Sequence, residues 1–400
     1  MTLHPTGAFA PLSSAMPSSD VPSSDVPCAL DAFIAAQSFE RPTVVLEIAR
    51  LRAQYHRLKA GLGRAEIHYA VKANPEPRLI AALVGEGSGF DAASRGEIAL
   101  CLAQGADPAR ISFGNTVKRA SDIAYAHAVG VRLFAADSAA ELDKIAAHAP
   151  RAEVYIRLLV GSCEADWPLS RKFGCDGAMA LELLDYARAL GLEPVGLSFH
   201  VGSQTRRAEM WAAPLAELAK TWKAAQAAGH GLSLLNIGGG FPAFYGEAIE
   251  APCAYAGAVM AQIDSLFDAP TRVMAEPGRG LVAEAGVIVC EVLLVSQKSA
   301  QDSLRWVYLD IGRFSGLAET EGEAIRYPFE TAKDGQAMGP CVLAGPSCDS
   351  ADVLYEKRPV MLPLALAVGD RVLIRNTGAY TTTYSSVGFN GFPPLDVQVI

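Results

Sequence analysis

Between about residue 44 and residue 280, short apolar runs alternate with segments whose hydrophobic positions repeat at helical spacing. Eight of the apolar runs have the length and the β-branched and aromatic content of buried strands. They are residues 67–72, 88–91, 111–114, 131–136, 154–160, 195–201, 233–238 and 271–276. Eight strands alternating with helices over about 230 residues predict an α/β fold, a TIM-type (β/α)8 barrel.

The segments between these runs carry helix-start signals and one-sided apolar faces. Ser94 with Glu97, and Ser138 with Glu141, have capping-box spacing at the start of an apolar-periodic run. The helix predicted before the first strand has one apolar face, formed by Ile48, Leu51, Tyr55, Leu58 and Leu62. These signals agree with the barrel.

After about residue 283 the pattern changes to alternating or fully apolar strands separated by Gly and Pro turns, which predicts a C-terminal mainly β domain. These strands are residues 286–296, 305–310, 340–344, 361–367 and 371–375. The strand-like residues 43–46 either pair with that domain or lead into the barrel. We divide the chain into a disordered Ser/Pro/Asp-rich tail (1–27), an N-terminal segment pairing with the β domain (28–46), the barrel (47–282) and the β domain (283–400).

Composition excludes several classes of partner. The formal net charge is -9 and no basic run occurs, which argues against nucleic acid and anionic membrane surfaces. No apolar run approaches the roughly 20 residues of a membrane span, and we expect a cytoplasmic protein. The eight cysteines form no C-x-x-C pair and are expected to be reduced, and no Cys/His cluster has zinc spacing, so no metal is expected.

Polar residues follow the predicted strands at their carboxyl ends, which meet on one face of a barrel. They are Lys72, Asp91, Asn115, Asp137, Arg157, His200, Gly238 to Gly240, and Glu276. Lys72 ends an apolar run just before Pro75. Desolvation there would favour its free amine, a nucleophile able to form a Schiff base. Taken alone, a lysine that reaches from a strand end to water is the simpler interpretation.

Two further motifs alter that balance. The glycines 238–240 follow the seventh strand and allow backbone N–H groups to approach a phosphate, although a tight turn alone would also explain them. Glu276 and Arg279 follow the eighth strand. A carboxylate there can face a heterocyclic nitrogen or pair with Arg279 or Arg157. His200 is either a core histidine or a ring that stacks on a ligand. A lysine, a phosphate cradle and a carboxylate on one face predict pyridoxal 5'-phosphate (PLP).

The motifs YAVKAN (69–74), FHVGSQ (199–204), GGGFP (238–242), EPGR (276–279), GPSCDSAD (345–352) and GAYTTTYSSVGFNGF (378–392) occur in this order. Together they resemble the group IV, alanine-racemase-fold amino acid decarboxylases. Cys348-Asp349 is similar to ornithine decarboxylases, whereas diaminopimelate decarboxylases typically have Cys-Glu. Residues 314–320 and 323–328 look like the bacterial ornithine or lysine/ornithine branch.

The resemblance implies a role for each matched residue. Lys72 binds PLP covalently, His200 stacks on its ring, and Glu276 pairs with its ring nitrogen. Cys348 protonates the substrate α-carbon after CO2 leaves, and Asp349 meets the distal ammonium; both come from the partner subunit, which implies a homodimer with shared sites. The phosphate is held by a set of polar and glycine residues: Ser203, Gly239, Gly240, Arg279 and Tyr380. We add Asp91, Arg157 and Gly278 to the cofactor-binding set.

One departure concerns the distal amine. Eukaryotic ornithine decarboxylases place an aspartate after the tyrosine that Tyr327 matches, and here Pro328 follows. Glu319, Glu323 or a water remain candidates for that contact, and Tyr327 itself is assigned to substrate binding.

The expected reaction is decarboxylation of L-ornithine to putrescine, with lysine as a second substrate to test. Diaminopimelate, arginine or carboxynorspermidine decarboxylase is the alternative. A racemase is disfavoured because racemases of this fold have a tyrosine where Cys348 stands, and intact Lys72, Glu276 and Cys348 disfavour a non-catalytic regulator of polyamine metabolism.

Overall fold

The computed structural model describes residues 29–161, 172–268 and 272–400. The predicted tail, residues 1–27, lies outside the described residues, as do Cys28 and Cys163. The chain forms two units, residues 1–37 and residues 38–400. Within the first, helix α1 spans Ala29–Ala36. The second begins with strand β1, Thr43–Leu46, and contains all the elements that follow.

Eight parallel strands form a closed barrel, which confirms the predicted fold class. They are β2 (Glu66–Ala70), β3 (Gly89–Ala92), β4 (Ile111–Phe113), β5 (Leu133–Ala136), β6 (Glu153–Arg157), β7 (Glu193–Ser198), β8 (Leu234–Asn236) and β9 (Arg272–Ala275). The barrel closes where Glu66 pairs with Met274 and Ile67 with Ala275. Its interior contains a small apolar cluster of Leu133, Ala135, Tyr155, Leu234 and Met274. The carboxyl strand ends therefore stand over a packed interior rather than an open channel.

Helices connect the strands and cover the outside of the barrel. They are α2 (Ile48–Leu62), α3 (Pro77–Gly85), α4 (Arg95–Ala103), α5 (Ala120–Ala128), α6 (Ala139–His148), α7 (Gly177–Ala189), α8 (Ala212–Ala227), α9 (Pro252–Leu266) and α10 (Arg279–Val282). In α2 the predicted apolar face is buried except at Ile48, which is half-buried. Over the described ranges, no helix combines the length and the apolar character needed to cross a membrane.

Of the two predicted capping boxes, one forms its serine cap. The Glu97 N–H donates to Ser94 Oγ at 3.2 Å, and the Glu97 carboxylate accepts from the Ala93 N–H at 2.6 Å, one residue before the N–H that the motif uses. Ser138 makes no side-chain cap. The Glu141 carboxylate, which would supply the return bond of the box, instead forms a buried ion pair with Lys118 at 3.0 Å. Lys118 lies 23 positions before Glu141 in sequence, so local spacing cannot reveal this pairing.

The eight remaining strands build a nine-stranded sheet together with β1. They are β10 (Gly286–Gln297), β11 (Arg305–Leu309), β12 (Phe329–Thr331), β13 (Met338–Ala344), β14 (Val353–Leu354), β15 (Val360–Pro363), β16 (Arg371–Arg375) and β17 (Asp396–Val399). The order β12-β16-β10-β11-β13-β14 forms its main path, with β15 paired to β13. Strand β1 pairs antiparallel with β10 and parallel with β17, so residues 43–46 belong to this sheet rather than to the barrel. The short strands β12, β14 and β17 escaped the sequence pattern.

Candidate active site

A cavity of about 230 Å³ lies at the carboxyl ends of the barrel strands, where segments of the β domain also reach. Its walls bring together ten of the predicted site residues: Lys72, His200, Ser203, Gly239, Gly240, Glu276, Gly278, Arg279, Glu319 and Tyr380. Glu319 and Tyr384, from short 3-10 helices of the β domain, complete one side. The structure thus places residues more than 300 positions apart around one space.

Lys72 lies in a 3-10 turn, Val71–Ala73, directly after β2 rather than inside the strand. Burial disfavours its ammonium form, as expected, but the charges of Tyr380, Asp91 and Glu276 outweigh burial and raise the pKa of Lys72 above its usual value. The prediction of a depressed pKa was therefore wrong. Its physical reason is the number of acidic groups that the barrel gathers around one amine. In this environment the amine is held as an ammonium until a ligand changes the local charge.

Glu276 stands one residue after β9 and its carboxylate faces the cavity. Its Oε1 accepts a hydrogen bond from Asn236 Nδ2 at 2.5 Å. Burial and the nearby Asp91 charge raise the pKa of Glu276 to about 8, although the Asn236 hydrogen bond opposes this. Neither Arg279 nor Arg157 takes this carboxylate as an ion-pair partner. A carboxyl that is largely protonated near neutral pH can give its proton to a heterocyclic nitrogen and then pair with it.

His200 follows β7 by two residues and is half-buried. Its Nδ1 accepts from the Gly202 N–H at 3.0 Å, which assigns the ring proton to Nε2. Burial, followed by the charges of Arg157 and Lys72, holds the pKa of His200 well below its usual range. The ring is therefore a neutral, fixed plane on the cavity wall.

The glycine turn leaves no space for side chains. A Cβ at Gly239 would lie 2.8 Å from the Glu276 carbonyl oxygen and 3.0 Å from His200 Nε2. Gly240 has a φ of +111°, and a Cβ there would collide with Val201. Only glycine fits, so the backbone N–H groups can approach a ligand closely. A narrow glycine cradle beside an arginine and a hydroxyl fits the phosphate of PLP.

Arg279 is buried with only 3% of its surface exposed. Its Nε and Nη2 point to Ser203 Oγ at 3.3 and 3.2 Å. Its Nη1 and Nη2 donate to the two carboxylate oxygens of Glu319 at 2.7 and 2.6 Å, a bidentate ion pair. The Tyr380 ring lies under the guanidinium, and Arg279 Cζ is 4.9 Å from the centroid of that ring. Glu319, a candidate for the distal amine, is thus paired with the arginine expected at the phosphate.

Asp91 and Arg157 lie next to the cavity without forming its wall. Asp91 is buried in β3, and its Oδ1 has no hydrogen-bond partner among the described residues. Burial raises the pKa of Asp91, while Lys72, His68 and Arg157 act in the opposite direction. The guanidinium of Arg157 lies 5.1 Å from the Phe173 ring. Both residues act on Lys72 through their charges.

Cys348 and Asp349 lie on an exposed loop of the β domain and do not line the cavity of their own chain. Asp352 organises this loop by accepting hydrogen bonds from Ser347 Oγ at 2.7 Å and the Arg313 N–H at 2.7 Å. The loop presents Cys348 outward.

Two other residues predicted to bind the substrate also lie elsewhere. Glu323 accepts from the Lys357 N–H at 2.6 Å and pairs with Arg326 and Arg358. Tyr327 is buried edge-on against Tyr245 and borders a separate cavity. In this chain neither side chain reaches the cavity that holds Lys72.

Sequence reasoning missed three residues of the site. Asn236 fixes the Glu276 carboxylate, Tyr245 accepts from Arg279 Nη1 at 3.2 Å, and Tyr384 forms part of the cavity rim. Asn236 ends a strand just before the glycine turn, a position that could have identified it. Tyr245 and Tyr384 carry no comparable signal. Across the described ranges no group of three or more His, Cys, Asp or Glu residues could hold a metal ion.

Comparison with known proteins agrees with this geometry. Residues 48–283 match the family model described as the pyridoxal-dependent decarboxylase, pyridoxal binding domain. Lysine/ornithine decarboxylase of Selenomonas ruminantium is 35% identical over 358 residues, covering 89% of this chain and 89% of the relative. A solved structure of SrLDC with PLP and cadaverine has a TM-score of 0.83 at 32% identity and covers 93% of this chain and 94% of that chain.

The arginine decarboxylase of Paramecium bursaria Chlorella virus, solved with agmatine, has a TM-score of 0.83 at 29% identity and covers 92% of this chain and 100% of that chain. The matches thus extend over the barrel and the β domain alike. The chain therefore belongs to the PLP-dependent ornithine, lysine and arginine decarboxylases, a family of carboxy-lyases.

Proposed function

We propose that this protein decarboxylates L-ornithine to putrescine, a step of polyamine biosynthesis, and that lysine is a second, slower substrate. The observation that supports the proposal is that the carboxylates lining the cavity already have partners within this chain. Among the described residues that line it, Glu276 is bound by Asn236 and Glu319 is neutralised by Arg279. A substrate with a distal cation therefore requires an anion from outside this wall, and Asp349 beside Cys348 is the exposed candidate.

The residues divide the reaction between them. When bound, PLP supplies an electron sink for the bond that breaks at the substrate α-carbon. Lys72 would hold the cofactor through its amine, which is the nucleophile of the site. Glu276 keeps a proton on the ring nitrogen and His200 supports one ring face. Ser203, Gly239, Gly240, Arg279 and Tyr380 hold the phosphate, and Cys348 returns a proton to the α-carbon.

This division of labour requires a second subunit. Cys348 and Asp349 do not line the cavity of their own chain, which supports the proposal that they act in the partner's site of a homodimer with two shared sites. We further propose a cytoplasmic location, on the ground that the eight cysteines of the sequence form no C-x-x-C pair and no regular disulfide framework.

A substrate panel tests the proposal. CO2 release from ornithine, lysine, arginine, diaminopimelate and carboxynorspermidine is measured with the purified PLP-loaded protein. Ornithine should give the highest kcat/KM. Diaminopimelate should be poor, because its distal carboxylate meets the Asp349 anion in a partly desolvated site, where an unpaired charge costs several kcal/mol. Efficient turnover of diaminopimelate or arginine with weak ornithine turnover would assign the protein to another branch, and no turnover at all would favour a regulator.

Subunit mixing tests the shared site. Lys72→Ala and Cys348→Ala dimers should each be impaired. After exchange of equal amounts, about half of the dimers are mixed, and each mixed dimer contains one site with both native residues. About a quarter of the wild-type activity should return, which follows from closed two-fold pairing. If subunits exchange and no activity returns, Cys348 does not act in the partner's site.

A further inference from the structure

Arg279 uses two different edges of its guanidinium. The edge formed by Nε and Nη2 faces Ser203 Oγ, which lines the cavity together with the glycine turn where the phosphate is expected. The adjacent edge, formed by Nη1 and Nη2, donates to both oxygens of Glu319. Because a guanidinium is planar, fixing one edge fixes the direction of the other.

The surroundings leave Glu319 little freedom. Glu319 is 5% exposed and Arg279 is 3% exposed, so water competes weakly for their hydrogen bonds. Tyr245 Oη also accepts from Nη1, on the Glu319 side of the guanidinium. Glu319 reaches this position from the β domain, in the 3-10 segment Ala318–Glu323, while Arg279 begins helix α10 after the last barrel strand. The pair therefore joins the two halves of the cavity at its phosphate end.

We propose that Glu319 is a positioning residue for the cofactor phosphate: it holds Arg279 so that the Nε–Nη2 edge faces the glycine turn. Glu319 is thereby removed from the candidates for the substrate's distal amine. The inference rests on the proposed assignment of Arg279 to the phosphate. It predicts that Glu319 affects binding of PLP and leaves binding of pyridoxal, which has no phosphate, unchanged.

The test compares these two ligands. Full-length apoprotein is titrated with PLP and with pyridoxal, and bound ligand is followed by its visible absorbance. Glu319→Gln keeps one acceptor and loses the charge and the second acceptor, so the preference for PLP over pyridoxal should fall about tenfold. Glu319→Asp keeps the charge, but its side chain is one methylene shorter and falls short of the two Arg279 nitrogens. It should also lower the preference for PLP over pyridoxal, and it replaces the Gln variant if that variant does not fold.

Glu323→Gln is the matched control. Glu323 is a second buried carboxylate paired with arginines, four positions further on, and it lies outside the cavity. Its loss should lower stability and leave the ligand preference unchanged. In an Arg279→Met background, Glu319→Gln should have no additional effect, since the arginine that it positions is gone.

The outcomes separate the inference from the assignment beneath it. If Arg279→Met lowers the preference for PLP and Glu319→Gln leaves it unchanged or raises it, the positioning role is wrong and the phosphate assignment stands. If Arg279→Met leaves the preference unchanged, Arg279 does not hold the phosphate, and both fail. A loss in Glu319→Gln that persists without Arg279 also overturns the inference.

Discussion

Glu276→Gln should have opposite effects on stability and on activity. Burial and Asp91 raise the pKa of Glu276 from 4.5 to about 8 in the folded apoprotein. Below pH 4.5 the carboxyl is protonated in both the folded and unfolded states and costs nothing. Between 4.5 and 8 the unfolded chain releases the proton while the folded one retains it, so unfolding free energy falls as pH rises. At about 1.4 kcal/mol per pKa unit, this shift lowers the free energy of unfolding by about 5 kcal/mol between pH 4.5 and pH 8.

A glutamine keeps the oxygen that accepts from Asn236 and does not titrate. The fall in unfolding free energy with rising pH should therefore be absent from the Glu276→Gln apoprotein. Urea unfolding of wild type and variant between about pH 5 and pH 8.5 measures it: their stability difference should grow with pH in favour of the variant. The decarboxylation rate should fall about 10- to 150-fold. A hydrogen bond to a charged group contributes about 1.5–3 kcal/mol, and the amide cannot keep a proton on the ring nitrogen.

Asp91→Asn provides the control, because removing that charge should lower the pKa of Glu276 and flatten the wild-type curve. Parallel pH curves for wild type and Glu276→Gln would refute the burial argument. A decarboxylation rate within a few-fold of wild type would refute the role at the ring nitrogen.

Three other changes test single contacts. Lys72→Ala should abolish turnover and the visible absorbance of covalently bound cofactor with an unchanged far-ultraviolet circular dichroism spectrum; normal activity would end the PLP assignment of Lys72. Asp349→Ala should lower kcat/KM for ornithine and leave PLP affinity unchanged, since Asp349 lies outside the cofactor cavity; unchanged ornithine kinetics would exclude it from substrate binding. Gly114→Ala places a Cβ against the Asp91 carboxylate and should cost about 1–3 kcal/mol in thermal unfolding. Gly85→Ala, where nothing lies within 4 Å, should be neutral or stabilising, and equal effects of the two would contradict the collision.

Much of the barrel could be predicted because its strands are apolar runs with polar ends, a local signal. The glycine turn and Glu276 were predictable for the same reason. What failed depends on contacts between distant residues. The capping box at Ser138 is incomplete, and the Glu141 carboxylate pairs with the distant Lys118 instead. Lys72 has a raised pKa because charges from other strands converge on it.

The Arg279–Glu319 pair joins residues 40 positions apart in two domains, and no spacing rule connects them. Short strands such as β14, two residues long, are defined by their partners and leave no pattern of their own.

The pairing of β1 has a consequence for the order of folding. Its partners in the sheet are separated from it by about 240 and about 350 residues of chain, so closing either loop carries a large entropic cost until the intervening chain is compact. The barrel strands, each paired to a neighbour in sequence apart from the closing pair, can assemble first. Glu319 and Tyr380 belong to the β domain, so they reach the cavity only when that domain packs against the barrel. PLP binding would then come at the last stage of folding. A chain that stops before this stage would have only those phosphate-binding residues that the barrel provides.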